Sequence, residues 1–151
     1  EPSRTVMIWQ VPGVTPGNAI CERTVDFSSI YATLCDLAEL KKPIHLDGKS
    51  IAPLLRDPTR TWSEPAITTH GRLNHAIRTE QFRYIRYENG DQELYDTFTD
   101  PLEYTNLSDS GKHQTVIDEM SQWLPKVNTD NLPMPNRNVG QRNNQRRKQT
   151  D

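Results

Sequence analysis

Residues 83–96 read RYIRYENGDQELYD, and the Asn89-Gly90 pair near their middle restricts the fold more than any other feature of the chain. Asn and Gly accept the positive φ that a two-residue turn between antiparallel strands requires, so the stretch predicts a β-hairpin. With Asn89 and Gly90 as the loop, the facing pairs become Glu88 with Asp91, Tyr87 with Gln92, Arg86 with Glu93, Ile85 with Leu94, Tyr84 with Tyr95 and Arg83 with Asp96. Only the first sets like charges together, and it falls at the solvated tip. Each favourable pair contributes roughly 0.2–1 kcal/mol relative to alanines, which predicts this register.

The hairpin has neighbours of the same period. Residues 66–69, 75–79, 82–88 and 92–96 read as four short strands separated by turn residues, hence an antiparallel meander. A helix over 110–124, with Val116, Ile117, Met120, Trp123 and Leu124 on one side, is expected to pack across one face of that sheet. The predicted class is therefore α+β: a small four-stranded antiparallel sheet packed by a C-terminal helix.

The first 60 residues follow another pattern. Residues 6–11 (VMIWQV) form a nearly continuous apolar run closed by Pro12-Gly13, the pattern of a strand covered on both faces, as in parallel sheets. Nothing else in the chain matches it, so its sheet partners are expected in a larger body of which this chain is a piece. Residues 24–40 place Phe27, Ile30, Tyr31, Leu34, Leu37 and Ala38 on one helical stripe, with Asp26 or Thr24 as cap and Lys41-Lys42-Pro43 as the stop. The connector HLDGKSIAPLLRDP then supplies an Asp47-Gly48 turn and a short helical turn through Ile51, Leu54 and Leu55.

Composition matters chiefly at the C-terminal end. From residue 125 onward apolar residues nearly vanish, and six cations face two carboxylates, a net of +4 that leaves the body with twelve cations against eighteen acids. With a mean hydropathy of −0.82, this reads as a solvated basic tail; no aromatic interleaving or motif points to nucleic acid. Two cysteines, Cys21 and Cys35, make neither a disulfide framework nor a zinc knuckle. No apolar run approaches ~18 residues, the length of a membrane-spanning helix, and the first residues do not form a signal peptide.

Candidate chemistry is sparse. Four histidines stand at 45, 70, 75 and 113 without metal-site spacing, and neither a nucleophile elbow nor a phosphate-cradling Gly-rich loop is present. Carboxylates cluster at turns and opposite arginines. His75, opening a strand after the Gly-Arg-Leu-Asn turn, stands at a sheet rim, where ligands often bind. Asn106-Leu107-Ser108 matches a glycosylation sequon.

Several motifs together resemble one family. TVDFSSIYATLCDLAEL, LDGKSIAPLL and NHAIRTEQFRYIRYENGDQELYDTFTDPLEYTNLS look like the carboxyl-terminal portion of a type I sulfatase, similar to bacterial iduronate-2-sulfatase-like enzymes, over about residues 1–124. The resemblance implies a parent with an alkaline-phosphatase-like α/β domain, calcium, and a formylglycine nucleophile made from Cys or Ser in a C/S-x-P-S-R motif. Neither Cys21 nor Cys35 precedes x-Pro-Ser-Arg, so no catalytic or metal-ligating residue is expected here.

On that reading residues 1–60 end the main domain, 61–124 form the C-terminal subdomain, and 125–151 are the tail. Asn74 and His75 are the expected substrate-binding, cleft-side residues. The resemblance further implies the N-terminal part of the sulfatase as partner, a sulfated carbohydrate as substrate, a periplasmic or secreted location and no activity for this chain alone. A free-standing interaction module and a related phosphoesterase or phosphonate hydrolase remain as alternatives.

Overall fold

The computed structural model describes residues 4–130. Its elements are α1 (Ser29–Leu37), α2 (Ala52–Arg56), β1 (Ala66–Thr69), β2 (His75–Arg78), β3 (Phe82–Arg86), β4 (Gln92–Asp96), a 3-10 turn (Ser108–Ser110) and α3 (Gln114–Ser121). The four strands form one antiparallel sheet in the order β1-β2-β3-β4, the expected meander.

Ile77, Tyr84 and Leu94 line up on one face of the sheet and are sealed by Ile117 and Met120 from α3, with Ile67, Phe82, Leu107, Val116 and Leu124 around them. Alternation along the strands sends Arg78, Arg83, Ile85, Glu93 and Tyr95 to the other face. α3 is shorter than the apolar pattern predicts, and Trp123, just beyond its end, is 39% exposed.

The hairpin register differs from expectation by one residue. β3 and β4 pair Phe82 with Asp96, Arg83 with Tyr95, Tyr84 with Leu94, Ile85 with Glu93 and Arg86 with Gln92. The loop contains three residues, Glu88, Asn89 and Gly90. It is closed by Tyr87 N–H to Asp91 O (2.9 Å) and Gly90 N–H to Tyr87 O (3.1 Å), with Gly90 at φ 94°. Asn89 Oδ1 accepts the Asp91 N–H at 3.0 Å, which shapes this longer turn. The extra loop residue places Tyr84 opposite Leu94, where α3 can cover both.

Residues 6–11 form no strand among the described residues, correcting that expectation within this chain. Val6 is 77% and Ile8 85% exposed, while Met7 and Trp9 are half-buried. A strand needs a neighbour, and the sheet of this chain offers none there.

Helix α1 also departs from its sequence pattern. It begins at Ser29 rather than near Thr24, and Ser29, Ala32, Thr33 and Cys35 are buried while Phe27, Tyr31 and Leu34 are exposed. The small residues permit close approach to α2 and its connector, where Thr33 Oγ1 accepts the Ile51 N–H (2.9 Å) and donates to Ser29 O (2.7 Å). Ser50 adds a bond to Asp36 Oδ2 at 2.6 Å.

Gly48 is buried beside this contact because of proximity rather than φ: a Cβ there would lie 1.9 Å from Ser28 O. Residues 125–130, placed in the tail by composition, return to the sheet through Asn128 and Asp130. The remainder of the tail, from residue 131, lies outside the described residues.

Candidate functional site

The turn joining β1 to β2 presents the sequence-predicted pair at one end of the sheet. It closes with His70 N–H to Asn74 O at 3.0 Å and contains two positive-φ residues, Gly71 (67°) and Leu73 (62°). The latter conformation is unfavourable for a side-chain-bearing residue and marks a locally constrained turn.

Asn74 is fastened on both ends of its amide. Its Nδ2 donates to Arg72 O at 2.9 Å, and its Oδ1 accepts the Glu88 N–H at 3.1 Å, coupling this turn to the tip of the β3–β4 hairpin. His75 is buried, and both ring nitrogens have partners: Nδ1 lies 2.9 Å from Thr69 Oγ1 and Nε2 lies 2.8 Å from Asn128 Oδ1. Since Asn128 Nδ2 donates to Pro125 O at 3.1 Å, its Oδ1 faces the ring and can only accept. This assigns the Nε2–H tautomer, with Nδ1 accepting from the Thr69 hydroxyl.

Sequence reasoning missed the charged surroundings of this pair. Arg72 reaches Glu88 Oε1 at 3.3 Å, and its Nε approaches Asp130 Oδ1 at 3.2 Å without hydrogen-bond alignment. The guanidinium side chain remains 39% exposed. Arg72 was visible as a turn cation, whereas Asn128 and Asp130 lay in a segment whose composition resembles a tail.

The face of the sheet away from α3 carries a second polar group. Arg78 and Arg83, facing across β2 and β3, both reach Glu103, at 3.4 and 2.5 Å. Farther along, Glu93 accepts the hydroxyls of Tyr87 (3.0 Å) and Tyr95 (2.9 Å). Burial, followed by the bond to Glu93, raises both phenols, with Tyr95 pushed up to about 12. Each anion is thus matched to a donor, an arrangement that stiffens a sheet.

The sequon side chain is also committed to structure. Asn106 Oδ1 accepts the Leu94 and Ser108 N–H groups at 3.0 Å, Leu107 N–H donates to Leu94 O at 2.8 Å, and Ser108 is buried. Together Asn106 and Leu107 cover the outer edge of β4, a standard need of edge strands.

Among the described residues no three His, Cys, Asp or Glu side chains converge to hold a metal ion. Cys21 is exposed, Cys35 is buried, and neither begins the motif that makes formylglycine. The described residues therefore do not fit the calcium or the formylglycine that the resemblance leads one to expect. Fold and rim together define an α+β unit that presents a hydrogen-bonded, cation-bearing turn.

Comparison with known proteins agrees with that class. The sequence profile of the family described as N-sulphoglucosamine sulphohydrolase, C-terminal, matches residues 1–130, and the chain belongs to that family. A sulfatase of Formosa agariphila is 34% identical over 117 residues, covering 78% of this chain and 23% of that protein. An arylsulfatase of Clostridium perfringens is 26% identical over 111 residues, covering 71% and 23%.

Among solved structures, a protein in complex with its substrate D-glucosamine-2-N,6-O-disulfate superposes with a TM-score of 0.52 at 25% identity, over 60% of this chain and 21% of that one. A phosphonate monoester hydrolase of Agrobacterium radiobacter gives 0.53 at 24%, over 62% and 23%, and shares the fold. The chain thus spans about a quarter of the length of these relatives.

Proposed function

We propose that this chain is the C-terminal part of a sulfatase that hydrolyses sulfate esters of sulfated glycans, and that its role is to support and border the substrate cleft. The observation that carries the reading is the family match over residues 1–130, joined to relatives named sulfatase and arylsulfatase. The structural relative holding a disulfated glucosamine favours a glycan substrate.

In this reading the nucleophile, a formylglycine, and the calcium belong to the remainder of the fold. Sulfate ester cleavage needs a nucleophile and several positive charges converging on one anion. The chain's own contribution is the β1–β2 turn: Asn74 and the partly exposed Arg72 side chain border the cleft, and His75 positions the turn from beneath through Thr69 and Asn128. The likeness to a phosphonate monoester hydrolase supports a second reading, hydrolysis of a phosphonate ester in the same superfamily.

The test measures turnover of 4-nitrophenyl sulfate and of a phenylphosphonate monoester, with and without calcium. The assayed proteins are the 151-residue chain alone and the chain rejoined to the rest of the sulfatase fold. The expected result is no turnover alone and calcium-dependent sulfate release once rejoined. Turnover by the isolated chain would refute the supporting role, and preference for the phosphonate would select the second reading.

A further inference from the structure

We propose that Asn89 is a self-modifying site: with Gly90 it closes a succinimide ring whose opening leaves an aspartate or isoaspartate at the hairpin tip and unfastens the β1–β2 turn. Neither the chemistry nor its structural effect depends on the hydrolysis of any ester.

Asn-Gly occurs once in the chain. A glycine after an asparagine leaves the attacking backbone nitrogen unshielded and the backbone free to rotate, the two requirements for ring closure. The fold keeps both. Asn89 and Gly90 are exposed, and nothing stands within 4 Å of the position a Cβ on Gly90 would take. The Asp91 N–H donates to Asn89 Oδ1 at 3.0 Å, which draws electrons from Cγ and makes it a better electrophile.

Two hydrogen bonds oppose the reaction. The Gly90 N–H is engaged with Tyr87 O at 3.1 Å, and Asn89 Nδ2 donates to Asp91 Oδ2 at 2.7 Å. Both lie at an exposed tip, where water replaces such bonds readily, so together they slow the reaction by roughly tenfold to a hundredfold and do not abolish it.

The step balances with water alone. The Gly90 nitrogen gives up its proton and attacks Asn89 Cγ; the N–Cγ bond forms, the Cγ–Nδ2 bond breaks, and Nδ2 takes up a proton and leaves as ammonia. Water then opens the imide. Cleavage of the new N–Cγ bond leaves an aspartate, whereas cleavage at the main-chain carbonyl leaves an isoaspartate, whose backbone runs through Cγ and is longer by one carbon. Either product loses the Nδ2 donor and sets a second carboxylate against Asp91, beside the exposed Glu88. The disturbance falls on the 3.1 Å bond from the Glu88 N–H to Asn74 Oδ1, which links the hairpin tip to the turn carrying Asn74 and His75.

A second dipeptide supplies the comparison. Asp47-Gly48 forms the same imide by loss of water, but Gly48 is buried, its carbonyl accepts from Lys42 Nζ at 3.1 Å, and a Cβ there would lie 1.9 Å from Ser28 O. That backbone has no room to turn, so the fold as well as the dipeptide selects Asn89.

The experiment incubates the 151-residue chain at pH 8, folded and in urea, and follows the peptides containing positions 47 and 89 by mass spectrometry after separation of their isoaspartyl forms. Asn89 is expected to convert in the folded chain within about a hundredfold of its rate in urea, while position 47 stays intact until urea is added. Asp91→Ala should speed conversion in the folded chain by freeing Nδ2. In the aged chain and in Asn89→Asp, hydrogen exchange at the Glu88 amide should accelerate roughly threefold or more, with the Leu94 amide still protected.

An Asn89 that stays intact in the folded chain, faster conversion at position 47, or slower conversion in Asp91→Ala would each overturn the proposal. So would unchanged Glu88 exchange in both altered chains, or a loss of Leu94 protection alongside it, which would mark general unfolding rather than release of the turn.

Discussion

The Asp26 carboxylate joins the start of α1 to the edge of the sheet: its Oδ2 accepts the Ile67 N–H at 3.0 Å, while its Oδ1 takes the Ser28 N–H at 2.9 Å and the Ser28 hydroxyl. One side chain therefore satisfies the outer edge of β1 and the turn entering the helix. Asp26→Ala should cost about 1–3 kcal/mol, the range for leaving partly buried polar groups unmatched. Hydrogen exchange at the Ile67 amide should accelerate first. Unchanged protection of that amide would show that the bond contributes nothing.

Gly48 tests the packing of α1 on its connector. An added methyl would meet Ser28 O at 1.9 Å and Ser28 C at 2.3 Å, both backbone atoms, so Gly48→Ala should cost about 3 kcal/mol or more, the upper end for overpacking. Gly17→Ala, with nothing within 4 Å, should stay within about 0.5 kcal/mol of the parent. Urea midpoints of the two variants make the comparison.

The hairpin register is open to a double-mutant cycle. Arg86 pairs with Gln92, and Glu93 faces the opposite side beside Ile85, so reversing Arg86 and Glu93 together should show coupling near zero. Arg83 and Glu103, whose side chains are each 16% exposed, should couple by about 1 kcal/mol, near the top of the range for ion pairs that are not deeply buried. Coupling in the first pair and none in the second would restore the two-residue loop.

Tyr95 gives the sheet an alkaline limit. Its phenol stands at about 12 in the folded chain against an ordinary 10, so the unfolded chain loses this proton first as pH rises. The stability it contributes is complete below pH 10 and is lost as pH climbs toward 12. Tyr95→Phe should cost about 1–2 kcal/mol at pH 8 through the lost bond to Glu93. It should also flatten the decline between pH 10 and 12, leaving the smaller slope due to Tyr87. Urea unfolding at pH 8 and pH 11 measures both effects.

Much of the sheet was legible because its signals are local. Residues 66–69 and 92–96 are strands with the bounds that alternation and turn residues predict, and Glu80-Gln81 forms the expected short loop between Thr79 and Phe82. The rim was half legible: the turn chemistry located Asn74 and His75, but their partner Asn128 lies 53 residues from His75, in a segment whose polar composition gives no sign of packing. Glu103 was equally hidden, since only folding brings it to Arg78 and Arg83.

Local chemistry by itself determined where the backbone turns and which segments between residues 66 and 121 extend or coil, but it read residues 6–11 as a strand that does not form among the described residues. Tertiary structure decided which side of each element is covered. It lengthened the Asn89-Gly90 loop by one residue so that Tyr84 meets Leu94 under α3, and it set the small side of α1 inward because Ala32 and Thr33 allow the connector to approach. Hydrophobic periodicity identifies a face able to be buried, but the surface that buries it must be supplied from elsewhere in the fold.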